Sequence, residues 1–309
     1  MMGILTLGTR GSDLALAQSH LVEKALEAAH PGLMVTQRII TTTGDARTTL
    51  ALHEPTAEGA GLFTKQLEEA LLQGEIDLAV HSLKDLPVET PAGLVLAAIL
   101  PRAPIADLLI SRHPGGVECL PVGAVIGTSS PRRALLLKAK FQATRPDLVM
   151  QPIRGNVPTR LQKVASAQLY DATILAAAGL LRLGHNLSTE VLEINGEQLF
   201  VESLAWMLPA PGQGAIAVET RSNDRAITLL SALHDITTAR CVEAERLVLK
   251  HLGGGCHLAL GALATEAEGV MTLRAVFVPD ERAAPRFAEA SSADHYEAAR
   301  AVADQFLKS

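Results

Sequence analysis

Aromatic residues are scarce in this 309-residue chain, at 3% of the sequence with one Trp and two Tyr. A surface that grips single-stranded nucleic acid by base stacking needs more of them. The net charge of −6 also removes the basic field that a general nucleic-acid binder uses. Cysteine is nearly missing. Only Cys119, Cys241 and Cys256 occur, an odd number at wide spacings without a Cys-x-x-Cys pair. Neither a disulfide framework nor a zinc site is expected, and a reducing compartment fits. No run of about 18 apolar residues appears, so no membrane span is expected; the richest stretch, Leu94 to Leu100, has strand length. The segment Met1 to Thr9 lacks the basic, apolar and small-residue order of an export signal, which makes the expected location cytoplasmic. The ten histidines form no ligand-spaced pair, so no metal is expected. Gly8-Thr9-Arg10-Gly11 lacks the spacing of a dinucleotide fingerprint, and there is no P-loop.

What is present is a globular composition, 48% hydrophobic and 19% charged, in a chain too long for one ordinary core. Short apolar runs alternate with amphipathic stretches. Ile4 to Leu7 reads as a strand, and Asp13 to Ala29 as a helix with apolar positions 14, 16, 17, 21, 22, 25 and 26. Strand Val35 to Ile40, helix Leu62 to Leu72 and strands Ile76 to Val80 and Leu94 to Ile99 follow. Pro101 to Ala106 carries two prolines and is a plausible hinge. The rhythm then restarts with strand Ala124 to Ile126 and helix Pro131 to Ala139. Strand Leu148 to Ile153, helix Val157 to Ala167 and strand Ala172 to Ala176 continue it. After Arg221 the pattern changes to helices Asp224 to Leu233 and Thr238 to His251. Strands Val270 to Val278 and Arg286 to Ala290 and a closing helix Ala293 to Leu307 complete the chain. The expected fold is α/β, with two doubly wound lobes and a smaller α+β C-terminal domain. The first lobe covers 1–103 plus a return segment 204–221, the second 104–203, and the third domain 222–309.

In doubly wound sheets, ligands bind beyond the carboxyl ends of the strands, beside helix N-termini. Polar residues collect at those places. Thr9, Arg10 and Ser12 follow the first strand, and His81, Ser82, Lys84 and Asp85 follow Ile76 to Val80. Thr128, Ser129, Ser130, Arg132 and Arg133 follow Ala124 to Ile126; Arg154, Gly155, Asn156 and Arg160 follow Leu148 to Ile153; Arg182 follows the apolar segment Thr173 to Leu181. Any one such arginine is more often a solvated residue or half of an ordinary ion pair. Six at equivalent positions point to a polyanion, since guanidinium groups bind carboxylates and phosphates through paired hydrogen bonds.

Asp85 is the lone acid of this set, within Val80-His81-Ser82-Leu83-Lys84-Asp85-Leu86-Pro87. It can shuttle protons or stabilise a transient substrate cation. On spacing alone, a surface Lys-Asp pair before a proline turn is as good a reading. Cys256 follows Gly253-Gly254-Gly255 after a helix. One glycine serves as a helix cap, and the others let a bulky group approach the backbone. Taken alone, such a cysteine is still structural slightly more often than functional. Cys241, inside a helix, and Cys119, beside a proline turn, read as small structural residues.

Seven runs, in order, resemble porphobilinogen deaminases. They are Gly61-Leu62-Phe63-Thr64-Lys65, Val80 to Pro87, Gly127-Thr128-Ser129-Ser130 with Arg132-Arg133, and Arg154-Gly155-Asn156-Val157 with Thr159-Arg160-Leu161. Ala178-Gly179-Leu180 with Arg182-Leu183, Gly212-Gln213-Gly214-Ala215 and Gly254-Gly255-Cys256 complete the set. The resemblance implies two lobes like those of periplasmic binding proteins, and a third domain presenting the cysteine. It implies a dipyrromethane cofactor joined by a thioether to Cys256, and Asp85 as the residue that assists deamination of porphobilinogen. Arg10, Arg132, Arg133, Arg154, Arg160 and Arg182 would hold acetate and propionate groups. Ser12, Phe63, Lys84, Thr128, Ser129, Ser130 and Gly155 would line the same site. Four porphobilinogen units would be joined and released as hydroxymethylbilane by a monomeric enzyme that needs neither nucleic acid nor membrane.

The chain departs from the family pattern at three places. Many members carry lysines in the loop before Gly-Leu-Phe, where this chain reads Thr56-Ala57-Glu58-Gly59-Ala60-Gly61. Pro131 and Pro158 replace commoner residues but suit a first helical turn. Ala259 stands where proline is expected after the cysteine. A non-catalytic two-lobed anion binder would need neither Asp85 nor Cys256, and an inactive relative would not need to retain them.

Overall fold

The computed structural model describes residues 3–41, 64–167, 169–254 and 258–308. In chain order the first elements are β1 (Ile4–Thr9), α1 (Asp13–Ala29), β2 (Met34–Ile39), α2 (Lys65–Leu72), β3 (Leu78–Ser82) and β4 (Leu94–Ile99). They are followed by β5 (Asp107–Ser111), β6 (Val125–Gly127), α3 (Pro131–Phe141), β7 (Val149–Gln151), α4 (Val157–Ala165), β8 (Ala172–Ala176) and α5 (Ala177–Arg182). Then come β9 (Val191–Ile194), β10 (Glu197–Ser203), β11 (Ile216–Arg221), α6 (Ala226–Leu230) and α7 (Ile236–His251). Strands β12 (Ala259–Ala267), β13 (Val270–Val278) and β14 (Arg286–Ser292) and helix α8 (His295–Leu307) close the chain.

Three sheets result. The first has the order β2-β1-β3-β11-β4, the second β7-β6-β8-β5-β10-β9, and the third β12-β13-β14. The first two are mixed. β1 runs parallel to β2 and β3, whereas β11 is antiparallel to both its neighbours. β6 runs parallel to β7 and β8, and β5 is antiparallel to β8. The chain therefore leaves the first sheet after β4, builds the second, and returns as β11 between β3 and β4. The third sheet is antiparallel, and its inner face packs on α7 and α8 through Ala244, Val248, Leu273, Ala299 and Val302. Its other face contributes Ala259, Val276 and Val278 to a core shared with Leu109, Leu136 and Met207. None of the described helices is long and apolar enough to cross a membrane.

Helix starts follow from local chemistry. Ser12, Ser130, Asn156 and Asp235 cap α1, α3, α4 and α7 by accepting a backbone N–H from the first turn. Both prolines stand in first turns as expected. The apolar stripe of α1 differs from its periodicity. Val22 and Leu26 are fully buried, but so are Gln18 and Ser19, while Leu21 is 47% exposed. The helix is turned to aim Gln18 inward, and the reason lies in the site.

Five strands escaped the sequence reading: β5, β9, β10, β11 and β12, of which β11 reads only as part of the return segment 204–221. β5 opens on a charged Asp directly after a proline-rich link. β12, Ala-Leu-Gly-Ala-Leu-Ala-Thr-Glu-Ala, has Thr265 as its one β-branched residue and no aromatic of the kind that marks strands. Packing explains its smallness, because a Cβ on Gly261 would lie 2.6 Å from the Leu208 carbonyl oxygen. The segment Thr173 to Leu181 divides into β8 and α5, so Arg182 ends a helix instead of following a strand.

Candidate active site

The carboxyl ends of β1 and β3 and the first turns of α1 border a recess of about 70 Å³, lined by Arg10, Ser12, Gln18, His81, Ser82 and Asp85 among others. Gln18 Nε2 donates to Ser82 Oγ (2.7 Å), and the Ser82 hydroxyl donates back to Gln18 Oε1 (3.1 Å). His81 Nε2 lies 3.1 Å from Glu219 Oε2 on β11, and both residues are buried. Asp85 ends a single 3₁₀ turn, Leu83–Asp85, and is exposed to the cleft. The turn is pinned beneath it: Leu83 and Leu86 are buried, and Leu83 N–H donates to the Ala215 carbonyl (3.1 Å).

The second lobe faces this recess with α3, α4 and α5. Its central feature is Asp107 at the start of β5, fully buried and accepting from three side chains. Arg132 Nη2 donates to Oδ2 (2.7 Å), while Arg133 Nη2 (2.7 Å), Arg133 Nε (3.2 Å) and Gln213 Nε2 (3.0 Å) donate to Oδ1. The remaining arms reach backbone, Arg132 Nη1 to Leu208 O and Arg133 Nη1 to Ile174 O. These two arginines are thus buried and bound to an internal carboxylate. Within these two guanidinium groups, only Arg132 Nε is buried without a hydrogen-bond partner. The hydroxyls after β6 are also locally engaged: Ser130 N–H donates to Thr128 Oγ1, Ser129 Oγ donates to Ile153 O, and Ser130 Oγ caps α3.

Gln213 connects the lobes. Its amide donates to Ile105 O (2.7 Å) and Asp107, and its carbonyl oxygen accepts from Lys84 Nζ (3.3 Å). The flanking glycines make this possible. Gly212 (φ +74) and Gly214 (φ +90) are left-handed, and a Cβ on Gly214 would lie 2.5 Å from Ala103 O. Beside them Arg102 forms a bidentate pair with buried Glu245 of α7 (2.7 and 2.9 Å), which also accepts from Gly212 N–H and Ala264 N–H.

Lys84 carries its ammonium into this junction although the residue is only half-buried. Desolvation lowers its pKa, and the Arg133 charge lowers it further; Asp85 and Asp107 oppose them, and the result is about 8. Arg160, which donates to Gly155 O (2.8 Å), is lowered by desolvation and by Arg133, with Asp85 opposing. Burial alone lowers Arg182 to about 10, with its Nη2 on Gly214 O (2.6 Å). Asp85, Lys84, Arg133 and Arg160 therefore share one electrostatic neighbourhood in which cations exceed acids. Because folding depresses the Lys84 pKa below its ordinary 10.5, the unfolded chain binds more protons between pH 8 and 10.5. The Lys84 contribution makes the fold gain stability as pH rises through that window. Anion binding moves oppositely: KM for an anionic substrate should rise as pH passes about 8, and Lys84→Met should remove that rise in a KM–pH series.

Arg154 is exposed on the rim, and its carbonyl accepts from Lys163 Nζ. Phe63, the loop 46–61 and Cys256 lie outside the described residues. Gly254, three residues beyond the end of α7, lies beside the turn that carries Asp85; a Cβ there would be 3.9 Å from Val88 Cγ2. The described residues contain no metal-binding cluster of three or more His, Cys, Asp or Glu. The sequence reading missed Gln18, Asp107, Gln213 and Glu219. A polar residue on an apolar helix stripe was the signal for Gln18, and an amide between two glycines for Gln213. Asp107 and Glu219 gave none beyond being charged residues in apolar runs.

Residues 5–229 match the family described as porphobilinogen deaminase, dipyromethane cofactor binding domain, and 239–307 match the porphobilinogen deaminase C-terminal domain. A porphobilinogen deaminase of Roseiflexus castenholzii is 42% identical over 99% of this chain and 97% of its own length. One from Syntrophotalea carbinolica is 46% identical over 87% and 81%. The solved methionine-binding protein MetQ is similar with a TM-score of 0.44 and 13% identity, over 78% of this chain and 91% of that one.

Proposed function

The chain belongs to the porphobilinogen deaminase family, and from that premise we propose a residue-level reading of its site. The enzyme is a transferase, a hydroxymethylbilane synthase, and it binds dipyrromethane. Four porphobilinogen molecules lose ammonia and are joined head to tail, and water releases hydroxymethylbilane. The observation that carries the residue assignments is the cluster of desolvated cations around one exposed acid. Lys84, Arg160 and Arg182 are all held below their ordinary pKa values by burial, which fits a group bearing several carboxylates.

In this reading Lys84, Arg160 and Arg182 hold acetate and propionate groups, with Arg10 and Arg154 at the rim. Arg132 and Arg133 contribute positive potential from behind, paired to Asp107. Ser12, Phe63, Thr128, Ser129, Ser130 and Gly155 shape the walls. Cys256 attaches the dipyrromethane by a thioether; when bound, that group supplies the pyrrole carbon on which synthesis starts. Asp85 acts on each incoming porphobilinogen. The C–N bond of the protonated aminomethyl group breaks with its electron pair leaving on nitrogen as ammonia, and the Asp85 carboxylate stabilises the remaining azafulvene cation. Surrounding cations would otherwise repel that species, so one acid in a cationic cleft is what the chemistry requires. When the new C–C bond forms, Asp85 can accept the proton displaced from carbon. The same reading makes the enzyme a cytoplasmic monomer.

The test is the intact mass of the purified protein followed by peptide mapping. The expected result is a mass excess of one dipyrromethane, confined to the peptide containing Cys256. An adduct on any other residue would overturn the attachment site, whatever the activity.

A further inference from the structure

The turn that carries Asp85 is held from the third domain. Helix α7 places Val242 and Arg246 one turn apart, on the same face. Val242 packs into a core with Leu83 and Leu86 on either side of Asp85, together with Ile99, Ala215 and Ala217. Arg246, nine-tenths buried, takes the backbone of the same turn. Its Nη1 donates to the carbonyl oxygens of Leu83 (3.3 Å) and Leu86 (3.2 Å), and its Nη2 to those of Pro87 (2.6 Å) and Val88 (3.3 Å). Four carbonyls within six residues thus meet one guanidinium.

A single 3₁₀ turn satisfies few of its own carbonyls. Pro87 has no N–H with which the backbone could tie itself down. An external fork of donors is therefore what fixes this loop, and Arg supplies it where Lys, a compact ammonium with three donors on a flexible stem, does not.

We propose that Arg246 is a positioning residue for the reaction: it fixes the Leu83–Val88 turn, and with it the Asp85 carboxylate, to the helix that leads toward Cys256. This rests on Asp85 being the group that acts on porphobilinogen. Glu245, the preceding residue, holds Arg102 and the Gly212 N–H at the crossing between lobes. One step of α7 therefore ties the third domain to the lobe crossing, and the next ties it to the acid. The geometry makes placement of Asp85 a property of the third domain as much as of the first lobe.

The experiment compares wild type, Arg246→Lys and Arg246→Gln as cofactor-loaded enzyme, by steady-state kinetics and by hydrogen exchange resolved to peptides. Both variants should lower kcat about 10- to 100-fold, the scale of misplacing a reacting group by about an ångström, while KM changes less than about threefold. Amides of 83–88 should exchange faster, with those of α8 unchanged. Full kcat alongside a loosened turn would overturn the proposal, as would lowered kcat with unchanged exchange at 83–88. Loss of folded protein in both variants would assign Arg246 to folding and overturn it equally. Asp85→Asn is run in parallel. Near-normal turnover there sinks the Asp85 reading by itself, whereas exchange at 83–88 reports on Arg246 without reference to activity.

Discussion

Asp85→Asn should lower kcat by about 10²- to 10⁴-fold, the range for removing a positioned acid–base or charge-stabilising group, while KM and melting temperature stay near wild type. Asparagine keeps the shape of the side chain, removes its charge and turns one acceptor oxygen into a donor, which an exposed side chain can satisfy with water. Asp85 is exposed at the end of a turn whose neighbours Leu83 and Leu86 provide the packing. Surface changes of this kind ordinarily alter stability by about 0.5 kcal/mol or less. The competing account, a surface pair between Lys84 and Asp85, makes the opposite prediction, since exposed pairs contribute about 0–1 kcal/mol and nothing to turnover. Steady-state kinetics with ammonia release as a second readout separates them. Turnover within a few-fold of wild type would remove Asp85 from the chemistry.

Burial explains which parts of this molecule are legible in its sequence. The runs flanking Asp85 and the first-turn prolines Pro131 and Pro158 are visible because their roles are local: a residue type, a turn and a following helix. The order of α/β lobes is visible for the same reason, since β3 and β4 are apolar runs of strand length. Ion pairing is not local. Arg132 and Arg133 look like ligand-binding residues because they open a helix after a strand. Their partner Asp107 is about 25 positions earlier, just after the stretch that reads as hinge. Likewise His81 gives no hint of Glu219, which is 138 residues away and adjacent only because β11 returns beside β3. The grip of Arg246 on the Asp85 turn has the same character. A sequence shows which side chains can bear charge; the return of the chain through Gly212-Gln213-Gly214 decides which of those charges reach a ligand.

Asp107→Asn tests that division, and it should be the most destabilising substitution in the second lobe, at about 3–5 kcal/mol in urea unfolding, the cost of breaking a buried ion pair by removing one partner. The carboxylate offsets two buried guanidinium groups and lies near the Lys84 ammonium, so its loss leaves three desolvated cations facing one another. An asparagine amide in its place also turns donors toward donors on Arg132, Arg133 or Gln213. The sign of the pH dependence follows from the same contacts. Burial would raise the Asp107 pKa, but Arg133 and Arg132 overcome it and hold the carboxyl far below its ordinary 3.8. Its stabilising contribution is therefore complete above the unfolded-state value and is lost as pH falls below about 4 toward the depressed folded value. Wild type should show that acid loss in a series of unfolding curves, and Asp107→Asn should lack this component. If Arg132 and Arg133 instead served a ligand directly and Asp107 were dispensable, the variant would unfold within about 1 kcal/mol of wild type and would bind porphobilinogen more tightly, because both guanidinium groups would be released to it. A large loss of stability with its acid component missing identifies these arginines as the cationic wall behind the site, set in place before any substrate arrives.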